Sequence, residues 1–155
     1  MNRALSVLPP ALAATGAVVA IDQLTKWIAI SSLAPGERSE VLPFLAFEVS
    51  HNTGVAFGIG GDISAAVIAA ELAFLTALLA WLATSARSTL LIWLPAALLV
   101  GGALGNLADR VRDDAVIDFI DLPLWPIFNL ADVAIVAGVV LLVIGIGRQE
   151  GDAPT

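Results

Sequence analysis

The chain has 155 residues, of which 59% are hydrophobic and 14% charged, with a mean hydropathy of +0.93. A soluble domain carries roughly a quarter charged residues, so lipid is the expected solvent for much of this sequence. The formal net charge of −7 argues against nucleic acid, which needs clustered Lys and Arg; the lack of Cys removes thiolate chemistry; and one histidine, His51, cannot assemble a zinc site.

The length allows one domain, taken as residues 1–155. Four apolar stretches follow in order, at about 8–33, 63–84, 90–107 and 127–147. Each is long enough for a bilayer core, which takes roughly 20 helical residues. Arg3 followed by an apolar run with Ala13, Ala14 and Gly16 has some features of a cleaved signal peptide. The run is long and three more follow, which favours a retained first helix.

Residues 34–62 do not read as a membrane helix. Ala34-Pro35-Gly36-Glu37-Arg38 is turn and surface. Phe44, Ala46 and Phe47, then Val49, Val55 and Phe57, predict short strands around an Asn52-Thr53-Gly54 turn. The second connection is short, near Ser85 to Ser88. The third, from Ala108 to Pro126, is rich in acids and is expected to be a loop. The fold class is therefore an all-α membrane protein of four transmembrane helices. Basic residues fall on both sides (Arg3, Arg87 and Arg148 against Lys26, Arg38, Arg110 and Arg112), so the positive-inside count does not decide orientation.

Antiparallel spans bring Asp22, Asn52, Asn106, Asp109, Arg110, Asp118, Asn129 and Asp132 to one membrane face. A carboxylate at bilayer depth costs about 2.5–3.5 kcal/mol on insertion scales, so Asp22 and Asp132 need partners or a task. Bland readings exist for each. Asp22 and Lys26 are spaced as a helical ion pair, Asp132 suits a helix N-terminus, and Asp109 pairs naturally with Arg110 or Arg112. Asp113 and Asp114 read as a solvated turn. Gly101, Gly102 and Gly105 read as close helix packing. Glu71, inside the second span, has no functional account at this level.

The acids taken together point further. Asn106 and Asp109 are three apart, as are Asn129 and Asp132, so each amide shares a face with its acid. Val116, Ile117, Phe119 and Ile120 surround Asp118 with apolar groups that favour its neutral form, whereas a helix start favours an ionised Asp132. Two acids in opposed environments make an acid/base pair. A proton-coupled transporter would use the same acids as a relay, but four short spans without an inverted repeat argue against it.

Five segments then resemble one known family, the bacterial lipoprotein signal peptidases, or signal peptidase II. They are Asp22-Gln23-Leu24-Thr25-Lys26-Trp27, Asn52-Thr53-Gly54-Val55-Ala56-Phe57, the run from Gly101 to Arg110, Val116-Ile117-Asp118-Phe119, and Phe128-Asn129-Leu130-Ala131-Asp132. The resemblance implies an inner-membrane aspartic protease with both termini cytoplasmic, a small extracytoplasmic β-rich cradle and an active site towards the outer face. It implies Asp118 and Asp132 as the catalytic pair and no metal or cofactor. The implied substrate is a prolipoprotein bearing diacylglycerol on its lipobox cysteine, cut just before that cysteine. Membrane lipid is the other implied partner, and a monomer suffices because one chain supplies both acids. With the chemistry of the side chains, it makes Asn52, Arg110 and Asn129 candidates for holding substrate and orienting the acids. Asp22, Asn106, Asp109 and Gly54 become supporting residues. Two departures stand out: the stretch from Asp118 to Asp132 is a few residues shorter than usual, and Glu71 has no counterpart.

Overall fold

The computed structural model describes residues 3–54, 63–84 and 90–151. Four long helices carry a small antiparallel sheet: α1 (Arg3–Ser32), β1 (Arg38–Leu42), β2 (Leu45–Asn52), α2 (Ile63–Thr84), α3 (Leu90–Asp113), β3 (Val116–Asp121) and α4 (Leu130–Gly151). The fold is mostly helical with a three-stranded sheet, in the order β1-β2-β3. Among the described residues, one stretch, Ile92–Asp113, is long and apolar enough to cross a membrane; Ala65–Trp81 and Leu130–Gly145 are shorter apolar helices.

Helix α3 is the axis of the molecule. It packs against α1, α2, α4 and β3, whereas α2 touches α3 alone among the described elements. The GGALG run explains the closeness of its contacts with α1 and α4. A Cβ at Gly102 would lie 2.5 Å from the Ala131 carbonyl oxygen on α4, and one at Gly105 would lie 2.6 Å from an Asp22 carboxylate oxygen on α1. Glycine there lets two helices approach α3 at backbone distance. On the α2 side the contact is an ordinary apolar one, with Leu78 against Ile92, Ala96 and Leu99.

One expectation is corrected by the strands. Residues 108–126 are not simply a loop: α3 continues through Asp113, and Asp118 sits in the middle of β3. The helix ends where Asp114 turns left-handed (φ 57°) and its N–H donates to the Arg110 carbonyl at 3.0 Å, a helix-closing device. Strand β2 runs up to Asn52, as its apolar residues predict. The β1–β2 hairpin turns at Pro43-Phe44, and the second partner of β2 is β3, with Ser50 opposite Asp118 and Asn52 opposite Val116. The alternating apolar residues of β2 gave its existence, but its partner lies 64 residues or more away in sequence and no local signal names it. Val55 and Phe57, expected as strand, lie outside the described residues.

One further pairing positions the chemistry. Phe128 bridges to Ile120, its N–H donating to the Ile120 carbonyl at 3.1 Å and its own carbonyl accepting from Ile120 at 2.8 Å and Phe119 at 3.0 Å. This lays the entry to α4 against β3. Asn129 therefore begins its helix within side-chain reach of Asp118.

Candidate active site

The N-terminus of α4 is closed by its own sequence. Asn129 Oδ1 accepts from the Asp132 N–H at 2.9 Å, and Asp132 Oδ2 accepts from the Asn129 N–H at 3.1 Å. This reciprocal pair at positions i and i+3 is a capping box with a shorter acid. Asp22 of α1 adds a third acceptor, taking the Ala131 N–H at 2.9 Å. A helix N-terminus offers several unpaired N–H groups and a favourable field for anions, so two carboxylates gather there at little cost.

Asp118 faces this helix start from β3. Asn129 Nδ2 donates to its Oδ1 at 2.6 Å, and Asn52 Nδ2 donates to its Oδ2 at 3.0 Å. Asn52 is itself fixed, since its Oδ1 accepts from the Gly54 N–H at 2.9 Å. Gly54 supports that turn through its left-handed backbone (φ 76°), a conformation glycine adopts without steric cost. Burial pushes the Asp118 carboxyl above its ordinary range. The hydrogen bond from Asn52 opposes that, the charge of Asp132 adds to it, and the bond from Asn129 opposes it again. The rise expected from the apolar neighbours in the sequence is thus present, with the same leading cause.

Behind the two acids lies a buried polar layer. Lys26, only 2% exposed, forms ion pairs with Asp22 at 2.8 Å and Asp109 at 2.6 Å. Its Nζ also donates to Asn106 Oδ1 at 3.0 Å. Asn106 Nδ2 then donates to Asp132 Oδ1 at 2.9 Å. Asp109 accepts from the Ile117 N–H at 3.3 Å and from Gln23 Nε2 at 2.8 Å, tying α3 to β3 and α1. A buried lysine survives only when its charge is met; here two carboxylates and an amide oxygen meet it.

The expected residues thus converge. Asp118, Asp132, Asn52, Asn106, Asn129, Asp22 and Asp109 form one connected network, with Gly54 shaping its edge. Asp109 pairs with Lys26 rather than with Arg110 or Arg112. Arg110 lies beside the network, one helical turn beyond Asn106, and pairs with Glu71 of α2 at 2.8 Å. Two residues were missing from the expected set. Lys26 and Gln23 are both structural members, and the Asp22–Lys26 spacing was the signal that pointed to the first. No group of three or more metal-ligating side chains occurs among the described residues.

A cavity of about 400 Å³ opens beside Asp132, lined by Leu122, Trp125, Phe128, Val133, Val136 and Ala137. One acid therefore lines an otherwise apolar cavity.

The chain as a whole is similar to known proteins. The family model for signal peptidase (SPase) II matches residues 14–147. The chain belongs to the signal peptidase II family. Relatives named lipoprotein signal peptidase include one from Moorella thermoacetica, 40% identical over 126 residues (81% of this chain and 84% of the relative). Another, from Coxiella burnetii, is 38% identical over 135 residues, 82% of this chain and 83% of the relative. A solved structure described as a bacterial membrane enzyme superposes with a TM-score of 0.83 at 34% identity, covering 89% of this chain and 92% of that one. Signal peptidase II enzymes are membrane proteases, so the polar network described above belongs to a protease fold.

Proposed function

We propose that the protein is an aspartic endopeptidase that removes the signal peptide from diacylglyceryl-modified prolipoproteins, cutting just before the lipidated cysteine. The observation that carries this reading is Asn129. Its side chain holds Asp118 and its backbone holds Asp132, which fixes two carboxyl groups around one helix start.

Two close carboxyl groups share one proton, because both cannot ionise easily. The ionised member takes a proton from water, and the water oxygen bonds to the scissile carbonyl carbon. The protonated member stabilises the carbonyl oxygen and then delivers its proton to the leaving nitrogen as the C–N bond breaks. The products are a signal peptide ending in a carboxylate and a lipoprotein with a free cysteine amine. The protonation states belong to the pair, not to either acid alone. Asn52 and Asn129 orient Asp118, and Asn106 orients Asp132. Arg110 and the exposed amide face of Asn52 are placed to hold the substrate backbone. Asp22 and Asp109 support them through Lys26.

All four helices are proposed to span the membrane. At 1.5 Å per residue, helices of 22, 24 and 30 residues reach about 33, 36 and 45 Å, enough for a core of about 30 Å. Their outward side chains are large and apolar, among them Leu24, Ile28, Phe74, Leu79, Val136 and Val143, as lipid contact requires. Both termini are then cytoplasmic, and the sheet and acids lie towards the outer face. The cavity at Asp132 gives an acyl chain or apolar signal residues a path to the acids. A monomer contains every group used.

The test is cleavage in lipid vesicles of one prolipoprotein in diacylglyceryl-modified and unmodified forms, with products weighed by mass spectrometry. The modified form is expected to yield a lipoprotein beginning at the modified cysteine. Cleavage of the unmodified form alone, or at another bond, contradicts the substrate assignment.

A further inference from the structure

Glu71 is a carboxylate in a helix that is otherwise apolar almost throughout, ISAAVIAAELAFLTALLAWLAT. Its position is expensive in a bilayer unless the charge is met. The charge is met by Arg110, whose Nη1 donates to Glu71 Oε2 at 2.8 Å, with both side chains largely buried. The same face of α2 looks towards the site. One turn before Glu71, Val67 stands against the Asn52–Gly54 turn, 3.2 Å from where a Cβ on Gly54 would lie.

Arg110 has a second peculiarity. Its Nε is buried and finds no hydrogen-bond partner, alone in this respect among side-chain nitrogens and oxygens of the described residues. A guanidinium carries five N–H groups in a rigid plane. Anchoring one terminal nitrogen therefore fixes where Nε–H points. Neither Asp118 nor Asp132 takes it up: the hydrogen bonds these acids accept come from Asn52, Asn129 and Asn106. The donor is left for an acceptor that arrives from outside. On the site side of α3, a main-chain carbonyl of the peptide is the neutral acceptor that the reaction brings.

We propose that Glu71 is a positioning residue for substrate: it anchors Arg110 from α2 so that the Arg110 Nε–H donates to a substrate main-chain carbonyl near the scissile bond. The proposal rests on the two-aspartate peptidase reading. Because that hydrogen bond is present in both the bound and transition states, its loss raises KM and leaves kcat nearly unchanged.

The test is steady-state cleavage of diacylglyceryl-modified prolipoprotein by wild type, Glu71→Ala, Glu71→Gln and Glu71→Asp, each also in an Arg110→Ala background, with Asp118→Asn alongside. Glu71→Ala is expected to raise KM roughly tenfold, the scale of one charge-assisted hydrogen bond, with kcat within about threefold. Glu71→Asp recovers part of the loss, and Glu71→Gln, which keeps the shape should Glu71→Ala fail to fold, lies between. With Arg110 removed, the Glu71 substitutions have no further effect on KM. A fall in kcat at constant KM overturns the proposal, as does an equal KM rise with Arg110 already gone. If KM ignores Glu71 while Asp118→Asn is inactive, only this proposal fails; if Asp118→Asn cuts normally, the catalytic reading itself fails.

Discussion

The two sides of α3 are held by different physics. Towards α1 and α4, glycines bring backbones together and Lys26, Asp22, Asp109, Asn106, Asn129 and Asp132 form a continuous hydrogen-bonded layer. Towards α2 the contact is a small apolar cluster and one ion pair, with a guanidinium N–H left over. The first side is built so that no acid can move without breaking several bonds. The second has one polar tie and a donor to spare. In the proposed reading, chemistry that depends on fixed proton positions belongs on the first, and the spare donor of the second meets the substrate.

This contrast is broken most severely at Lys26. Lys26→Met leaves Asp22 and Asp109 buried without their cation, and breaking a buried pair in this way costs about 3–5 kcal/mol. Thermal unfolding in detergent is expected to show a large drop in midpoint, with activity lost in parallel. A midpoint equal to wild type contradicts the fixed-side account. Gly102→Ala tests the backbone contact, since the new Cβ must displace the Ala131 carbonyl. Overpacking of about 1–3 kcal/mol is expected, whereas Gly16→Ala, with open space around it, should leave the midpoint unchanged.

Asn52→Ala is a finer probe. It removes a bond that favours ionised Asp118, so the carboxyl, already raised by burial, rises further. Whichever limb of the kcat/KM against pH profile Asp118 governs then moves to higher pH. Movement to lower pH contradicts the role given to Asn52. The same raised carboxyl also binds its proton more tightly in the folded than in the unfolded state. Its contribution to stability is therefore full below the ordinary carboxylate range and is lost as pH rises through the folded value. The smallest effect is expected at Arg38, whose partners Glu40 and Asp121 are reached from an exposed position. Arg38→Ala should change the cleavage rate by less than about twofold, as exposed pairs contribute little.

Much of the fixed side was legible in the sequence because its members sit at helical spacings. Asp22 and Lys26, Asn106 and Asp109, and Asn129 and Asp132 each announce a shared face, and GGALG announces close packing. What the sequence hid was long-range. That Asp118 lies on a strand depends on pairing with β2, which no local pattern specifies. That Asp109 serves Lys26, and that Glu71 reaches Arg110, depends on helix rotation, which the nearly uniform apolarity of α1 and α2 leaves unmarked. Lys26 was visible as a partner of Asp22, but its place between two acids required the packed helices.

The most direct test of the account is a single-turnover measurement with wild type, Asp118→Asn and Asp132→Asn in excess over diacylglyceryl-modified prolipoprotein, following bound and cleaved substrate in one sample. Both variants are expected to bind the precursor as wild type does and to cut it at least about 100-fold more slowly, the scale of losing a positioned acid or base. Cleavage at the wild-type rate by either variant would contradict the assignment of the chemistry to the paired acids on the fixed side.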